Sequence, residues 1–135
     1  MRKGTESAER SGVMAVAESD LFERTRRFAL DVLEFLKTLP RDEPGPTVKR
    51  QLTRAATGVS ANYRAARRSR SHAEFTSRIS VVAEEADESQ HWLDLSASAG
   101  LSTSLALPGL LRESRELTAI FSAMVRTARS RDRCR

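Results

Sequence analysis

Val48, Leu52, Ala55, Val59, Asn62 and Ala66 recur at alternating steps of four and three. That spacing aligns them on one stripe of an α-helix. Three further segments carry the same kind of stripe. The first opens at Asp20, where Asp20 and Glu23 have capping-box spacing, and continues through Leu21, Phe28, Val32, Phe35, Leu36 and Leu39 until Pro40 stops it. The stretch from Arg41 to Pro46 reads as a turn, after which Thr47 is placed to cap the second helix. Ser71 and Glu74 mark the next start, and the third helix runs through Phe75, Ile79, Val82, Ala86, Ser89, Leu93 and Ser96 to a C-terminal cap at Gly100. The fourth begins between Ser104 and Pro108 and presents Leu110, Leu117, Phe121, Met124 and Ala128. Four amphipathic helices on short connections predict an all-α, antiparallel up-down-up-down four-helix bundle over residues 19–129. Residues 1–18 read as a disordered lead-in, with Met14 a candidate translation start, and 130–135 as a basic tail.

At 135 residues the chain is sized for one domain, and four prolines, six glycines and 5% aromatics suit helix rather than a large β fold. The single cysteine, Cys134, excludes an intramolecular disulfide and a cysteine metal cluster. The longest apolar run, Val13 to Ala17, is too short for a signal-peptide core or a membrane span, so a cytoplasmic protein without a membrane partner is expected. The second helix packs mostly through small side chains, and Gly58 lets a neighbour come close. Asn62 is expected to fix helix register through a buried hydrogen bond, with Tyr63 and Trp92 at the edge of the core. Phe22 and Ile120 widen the apolar faces of the outer helices, which points to self-association.

Charge is unevenly spread. The formal net charge is +5, and of 23 basic residues only Lys3, Lys37 and Lys49 are lysines. Arginine suits bidentate contacts to phosphate or carboxylate, and codon bias yields the same excess. Between Thr47 and Ala73 lie Lys49, Arg50, Arg54, Arg64, Arg67, Arg68 and Arg70 and no acidic residue. A second basic block, Arg126, Arg129, Arg131, Arg133 and Arg135, is relieved only by Asp132. In an antiparallel bundle the two blocks share one end. The third helix is the reverse, with Glu74, Glu84, Glu85, Asp87, Glu88 and Asp94 against Arg78. One reading gives the basic surface to RNA or DNA, through Arg50, Arg54, Arg64, Arg67, Arg68, Arg70, Arg126 and Arg129. The other pairs the basic second helix with the acidic third, within or between subunits of a protein-interaction scaffold. Aromatic platforms for unpaired bases are not evident in the sequence.

Candidate chemistry is sparse. Glu88 and His91 form a Glu-x-x-His pair of the type used by di-iron bundles, but such a centre needs two pairs, and both residues lie far from the apolar stripe. A metal-dependent bundle enzyme is therefore the remote reading. His72 follows a serine cap and is expected to be a solvated loop histidine. No nucleophile elbow, Walker loop, dinucleotide turn or zinc-ligand spacing occurs. A non-enzymatic protein without cofactor, catalytic residues, metal site or small-molecule substrate is expected.

The run from Arg54 through Gly58-Val59-Ser60-Ala61-Asn62-Tyr63-Arg64 to Arg70-Ser71, then Glu74-Phe75, Glu84-Glu85-Ala86-Asp87-Glu88 and Trp92-Leu93, resembles a known family. It is the bacterial four-helix bundle family often called 23S rRNA intervening-sequence proteins. The resemblance covers about residues 20–129 and is most specific from Arg50 to Leu95. It implies an up-down bundle that assembles into a homo-oligomeric ring, typically a pentamer, without known enzymatic activity. Some relatives are encoded inside 23S rRNA insertions, and one branch serves retroelements as a basic accessory protein that engages RNA and reverse transcriptase. Many relatives carry Ser-Ile-Pro-x-Asn-Ile-Ala-Glu-Gly where this chain has Gly58 to Ala66, which places it on a different branch.

Overall fold

The computed structural model of the protein describes residues 20–133. They form four helices and no strand: α1 over residues 20–36, α2 over Gly45–Arg67, α3 over His72–Ser98 and α4 over Leu107–Arg133. The expected lead-in, Met14 and Cys134 lie outside the described residues. Residues 130–133, expected in the tail, continue α4.

The punctuation follows local chemistry. Past residue 36 the chain tightens through three i to i−3 bonds, made by the N–H groups of Lys37, Thr38 and Leu39, before Pro40. The start of α2 differs from expectation. Pro44 is its N-cap, no side chain caps it, and the Thr47 hydroxyl instead donates to Glu43 Oε2 at 2.6 Å. The earlier start is possible because Pro46 falls in the first turn, where a missing N–H costs no intrahelical bond. Gly45 is required there, since a Cβ would overlap the Pro40 carbonyl. Ser71 caps α3 by accepting from the Glu74 N–H at 3.1 Å. At the other end Gly100 takes φ 64°, its N–H donates to Ala97, and the Leu101 N–H reaches back to Ser96 at 3.0 Å. These two bonds are the Schellman pattern, and they account for the helix ending at that glycine.

All four stripes meet in one core. Phe28, Val32, Leu52, Val59, Ile79, Val82, Leu93, Leu117 and Phe121 are essentially sealed from solvent. Buried serines and threonines stand among them without orphaned hydroxyls, because each donates back into its own helix. Ser89 bonds the Glu85 carbonyl, Ser96 that of Trp92, Ser114 that of Leu111 and Thr76 that of His72, at 2.8–3.0 Å. The stripe of α2 is buried at Val48, Leu52, Ala55, Val59 and Ala66 as expected and departs from expectation at one position. Asn62 is only half-buried and donates to the Gly58 carbonyl of its own helix at 2.8 Å, so it fixes no interhelical register. Tyr63 holds the core position instead, 2% exposed, with its ring 5.4 Å from that of Phe121. Both residues lie near the stripe at 3.6 residues per turn, and burying an aromatic ring gains more than burying an amide. Trp92 packs half-buried at the core edge, as expected.

Several cross-contacts fix which parts of the helices are neighbours. Arg24 of α1 pairs with Glu113 and, at 3.3 Å, with Glu116 of α4. Thr38 meets Ser102 at 2.7 Å beyond the other end of α1. Glu85 of α3 lies against Gly58 of α2, where an added Cβ would sit 3.0 Å from the carboxylate. His72, at the start of α3, places Nε2 3.0 Å from the Ala128 carbonyl and 3.0 Å from Asp132 Oδ1, near the end of α4. His72 is thus a tie between two helices and not the solvated loop residue the sequence suggested. Its place in the first turn after Ser71 aims it across the end of the molecule.

Candidate nucleic-acid interface

The end of the molecule that His72 ties together is the one where arginines accumulate. Helix α2 terminates at Arg67, with basic Arg64 and Arg67 in its last turn, and the connection to α3 adds Arg68 and Arg70. Since α3 starts at His72, the connection is too short to carry Arg70 away from the α2 terminus. All four side chains are exposed, as are Arg50, Arg54, Arg126 and Arg129. None of these eight forms a salt bridge with a carboxylate among the described residues.

The eight do not form one patch. Arg64 and Arg68 line two adjoining recesses. One, of about 480 Å³, has Ala61 and Ala65 as a small-residue floor between Arg64, Arg68, Arg70 and Arg78. The other, of about 370 Å³, is formed by Phe22, Arg64, Arg67 and Arg68, with the Arg67 guanidinium 4.9 Å from the centre of the Phe22 ring. Arg126 and Arg129 approach the same end along α4, and Arg129 Nη2 lies 3.4 Å from Ser80 Oγ. Arg50 stands apart, about 21 Å from Arg64 along the helix axis at 1.5 Å per residue. Its guanidinium touches Thr47 Oγ1 at 3.5 Å.

Arg54 serves a local purpose. Glu85 is half-buried, and its carboxyl is pushed above the ordinary range by burial, with Glu88 and Glu84 adding to the effect and Arg54 opposing it. At the arginine-rich corner the one carboxylate in the larger recess is Glu74, and it is held below the ordinary range. The Arg70 backbone N–H, donating at 3.0 Å, is the main cause, and the Arg78 guanidinium at 2.9–3.0 Å adds to it. Glu74 therefore stays ionised and is spent on Arg78 and the backbone, leaving Arg64, Arg68 and Arg70 without a carboxylate.

Sequence reasoning did not anticipate three participants. Arg78 stood out only as the single base of an acidic helix, and its position four residues after Glu74 is the signal that ties it to the corner. Phe22 stood out only as widening the apolar face of the first helix, and it joins the corner through its contact with Arg67; Ser69 carried no signal of its own and reaches the corner by lying between Arg68 and Arg70. Glu88 and His91 are both exposed on α3, the His91 ring packing edge-on to Trp92 at 5.2 Å. No group of three or more His, Cys, Asp or Glu side chains among the described residues is placed to hold a metal ion. Among the described residues no helix is long and apolar enough to cross a membrane.

The described residues thus define an all-helical, four-helix fold with an arginine-rich corner. The chain belongs to the family described as 23S rRNA-intervening sequence protein, whose model matches residues 17–123. Among solved structures it is similar to a protein of unknown function from the S23 ribosomal protein family of Bacteroides thetaiotaomicron. That protein is 21% identical, with a TM-score of 0.72 over 81% of this chain and 97% of the other. At that identity the likeness speaks for the fold. No functionally curated protein matches the sequence.

Proposed function

We propose that the protein is a non-enzymatic, oligomeric, antiparallel up-down-up-down bundle that binds nucleic acid, an rRNA segment or a comparable polyanion, through its arginine-rich corner. The observation that carries this reading is the set of exposed arginines without carboxylate partners where α2, α3 and α4 meet. A phosphodiester backbone supplies the missing anions, and release of its counterions drives binding. Guanidinium forks suit phosphate oxygens better than ammonium groups do. Arg64, Arg67, Arg68 and Arg70 form the centre of the surface, Arg126 and Arg129 extend it, and Arg50 and Arg54 contribute at its margin. The contacts of Arg24 with Glu113, Gly58 with Glu85 and His72 with Ala128 support the alternating direction of the helices.

Binding of an rRNA fragment and of duplex DNA, followed across a salt series, tests the reading. The expected result is affinity that falls steeply with salt, with comparable slopes for both polymers. An absent or salt-insensitive interaction would overturn it.

A scaffold reading is favoured by a different observation. Leu30 and Leu33 on α1 are 43% and 39% exposed, and α3 displays Glu84, Asp87, Glu88 and Asp94 to solvent. A second copy would cover the leucines and set acidic α3 against basic α2. Mass measurement in solution tests this reading: a strict monomer at micromolar concentration removes the oligomer, and with it the scaffold.

A further inference from the structure

Beside the arginine ridge lies a third recess, of about 220 Å³, whose lining differs from the other two: Tyr63, Ala66 and Arg67 of α2, Ser69 of the connection, Phe75 of α3 and Met124 of α4. Aromatic and thioether side chains share its lining with Arg67 and with Ser69 and Ser71, and it is smaller than the ~300–1,000 Å³ typical of sites for drug-sized ligands, so it suits a single flat ring system with a polar edge. The Ser69 hydroxyl is shielded from water there and has no hydrogen-bond partner, although the residue's own N–H donates to the Ala66 carbonyl at 3.1 Å. Shielded hydroxyls of this kind are normally satisfied. Arg67 lines both this recess and the neighbouring one, with its guanidinium against Phe22.

We infer that this recess accepts one unpaired nucleobase, with the flanking phosphates on Arg64, Arg67, Arg68 and Arg70; the inference rests on the polyanion reading above and narrows it to single-stranded nucleic acid. Charge complementarity selects the occupant. A purely apolar group gains nothing from a rim of arginines, and an inorganic anion gains nothing from Tyr63, Phe75 and Met124. A nucleotide uses both. Its base packs on Phe75 and Met124, the partly exposed members of the lining, while a polar edge supplies the partner that Ser69 Oγ lacks. A base in a duplex is stacked and paired, so only an unpaired one can enter. The site draws on three helices and the α2–α3 connection, which explains why no aromatic platform is visible in the linear sequence.

The test compares a short oligoadenylate with a duplex carrying the same number of phosphates, at about 0.2 M salt, where purely electrostatic binding is weakened. The wild-type protein is expected to prefer the single strand by at least about fivefold. A 2-aminopurine placed within that strand should lose fluorescence on binding. Met124→Trp, which fills the recess, should abolish the preference while leaving duplex affinity and its salt slope unchanged, and Ser69→Ala should reduce the preference about threefold. Melting curves establish that each variant is folded; if Met124→Trp is not, Ser69→Ala and Phe75→Leu decide. Equal binding of the two polymers by the wild type, or a preference that survives in every folded variant, overturns the recess while salt-dependent duplex binding leaves the polyanion reading intact. No binding of either polymer at low salt overturns both.

Discussion

Helices α2 and α3 touch along their length, yet their two halves treat charge in opposite ways. Around Gly58 the helices come close enough for the Glu85 side chain to lie on the glycine, half-buried, with Arg54 partly offsetting its charge. At the Arg64–Arg78 corner the contact opens into recesses, and the acid available, Glu74, is consumed by Arg78 and a backbone N–H. The first half uses charge to close a helix contact. The second leaves cationic surface that no other part of the described chain neutralises. Like charges held together oppose folding, so the surplus arginine at this corner does not serve stability by mutual pairing, and an external anion is what the proposed function supplies.

The largest effect expected from breaking this comparison is in the core that both halves share. Leu93 is fully buried, and Leu93→Asp places a carboxylate there without a partner, costing more than about 4 kcal/mol and leaving the chain unfolded in a thermal melt. By contrast, Arg67→Glu combined with Arg68→Glu alters exposed side chains and should keep stability within about 1 kcal/mol of wild type. If the double reversal unfolds the protein, those arginines are structural and the contrast between the halves disappears.

The next effect is on binding. Losing two phosphate contacts at the corner should lower the salt slope for an rRNA fragment by roughly two. Arg50→Glu with Arg54→Glu, which makes the same change in charge, should lower it by less, because these residues stand apart from the corner and Arg54 is engaged with Glu85. Equal losses from the two pairs would mean that α2 binds along its whole length. Filter binding or fluorescence anisotropy across a salt series distinguishes the outcomes.

A smaller effect probes the packed half. Gly58→Ala removes the helix cost of glycine, about 1 kcal/mol. The new methyl would come within 3.0–3.2 Å of Glu85 side-chain atoms. Those atoms belong to a flexible chain whose burial already disfavours its charged form, so it should swing outward. Gly58→Ala is accordingly expected to stabilise by up to about 1 kcal/mol in denaturant unfolding. A loss of stability would show that Glu85 is held in place and that the close contact depends on it.

How far these features could be read in advance depends on their range. The stripes of α3 and α4 were legible because each is a local period, although in α4 Val125 is buried where Met124 was expected, and Gly100 and Ser71 because their bonds close within a few residues. The start of α2 was not, since the fit of Gly45 against Pro40 is a contact between two arms of a turn. The choice between Asn62 and Tyr63 turned on packing against Phe121 of α4, which one helix alone does not define. The eight candidate arginines are all exposed. Their division into a corner and a margin was hidden, because it depends on where Phe22, Glu74, Arg78 and Glu85 fall in three dimensions.

The two carboxylates offer the finest discrimination, and it is one of sign. Glu74 has a folded-state value below the ordinary 4.5, so the unfolded chain binds more protons between the two values. Its contribution is full above the ordinary range and is lost as pH falls through the depressed folded value. Glu85 has a folded-state value above 4.5, so the folded chain binds more protons in that window, and the penalty grows as pH rises through it. Glu74→Gln should therefore lower the melting temperature at neutral pH, and Glu85→Gln should raise it. Both differences should shrink toward zero in acid, Glu85's on entering the ordinary carboxyl range and Glu74's only below it. Shifts of the same sign would mean that the two halves of the α2–α3 contact do not handle charge differently. A Glu85→Gln variant less stable than wild type would specifically show that the attraction of Arg54 outweighs burial beside Gly58.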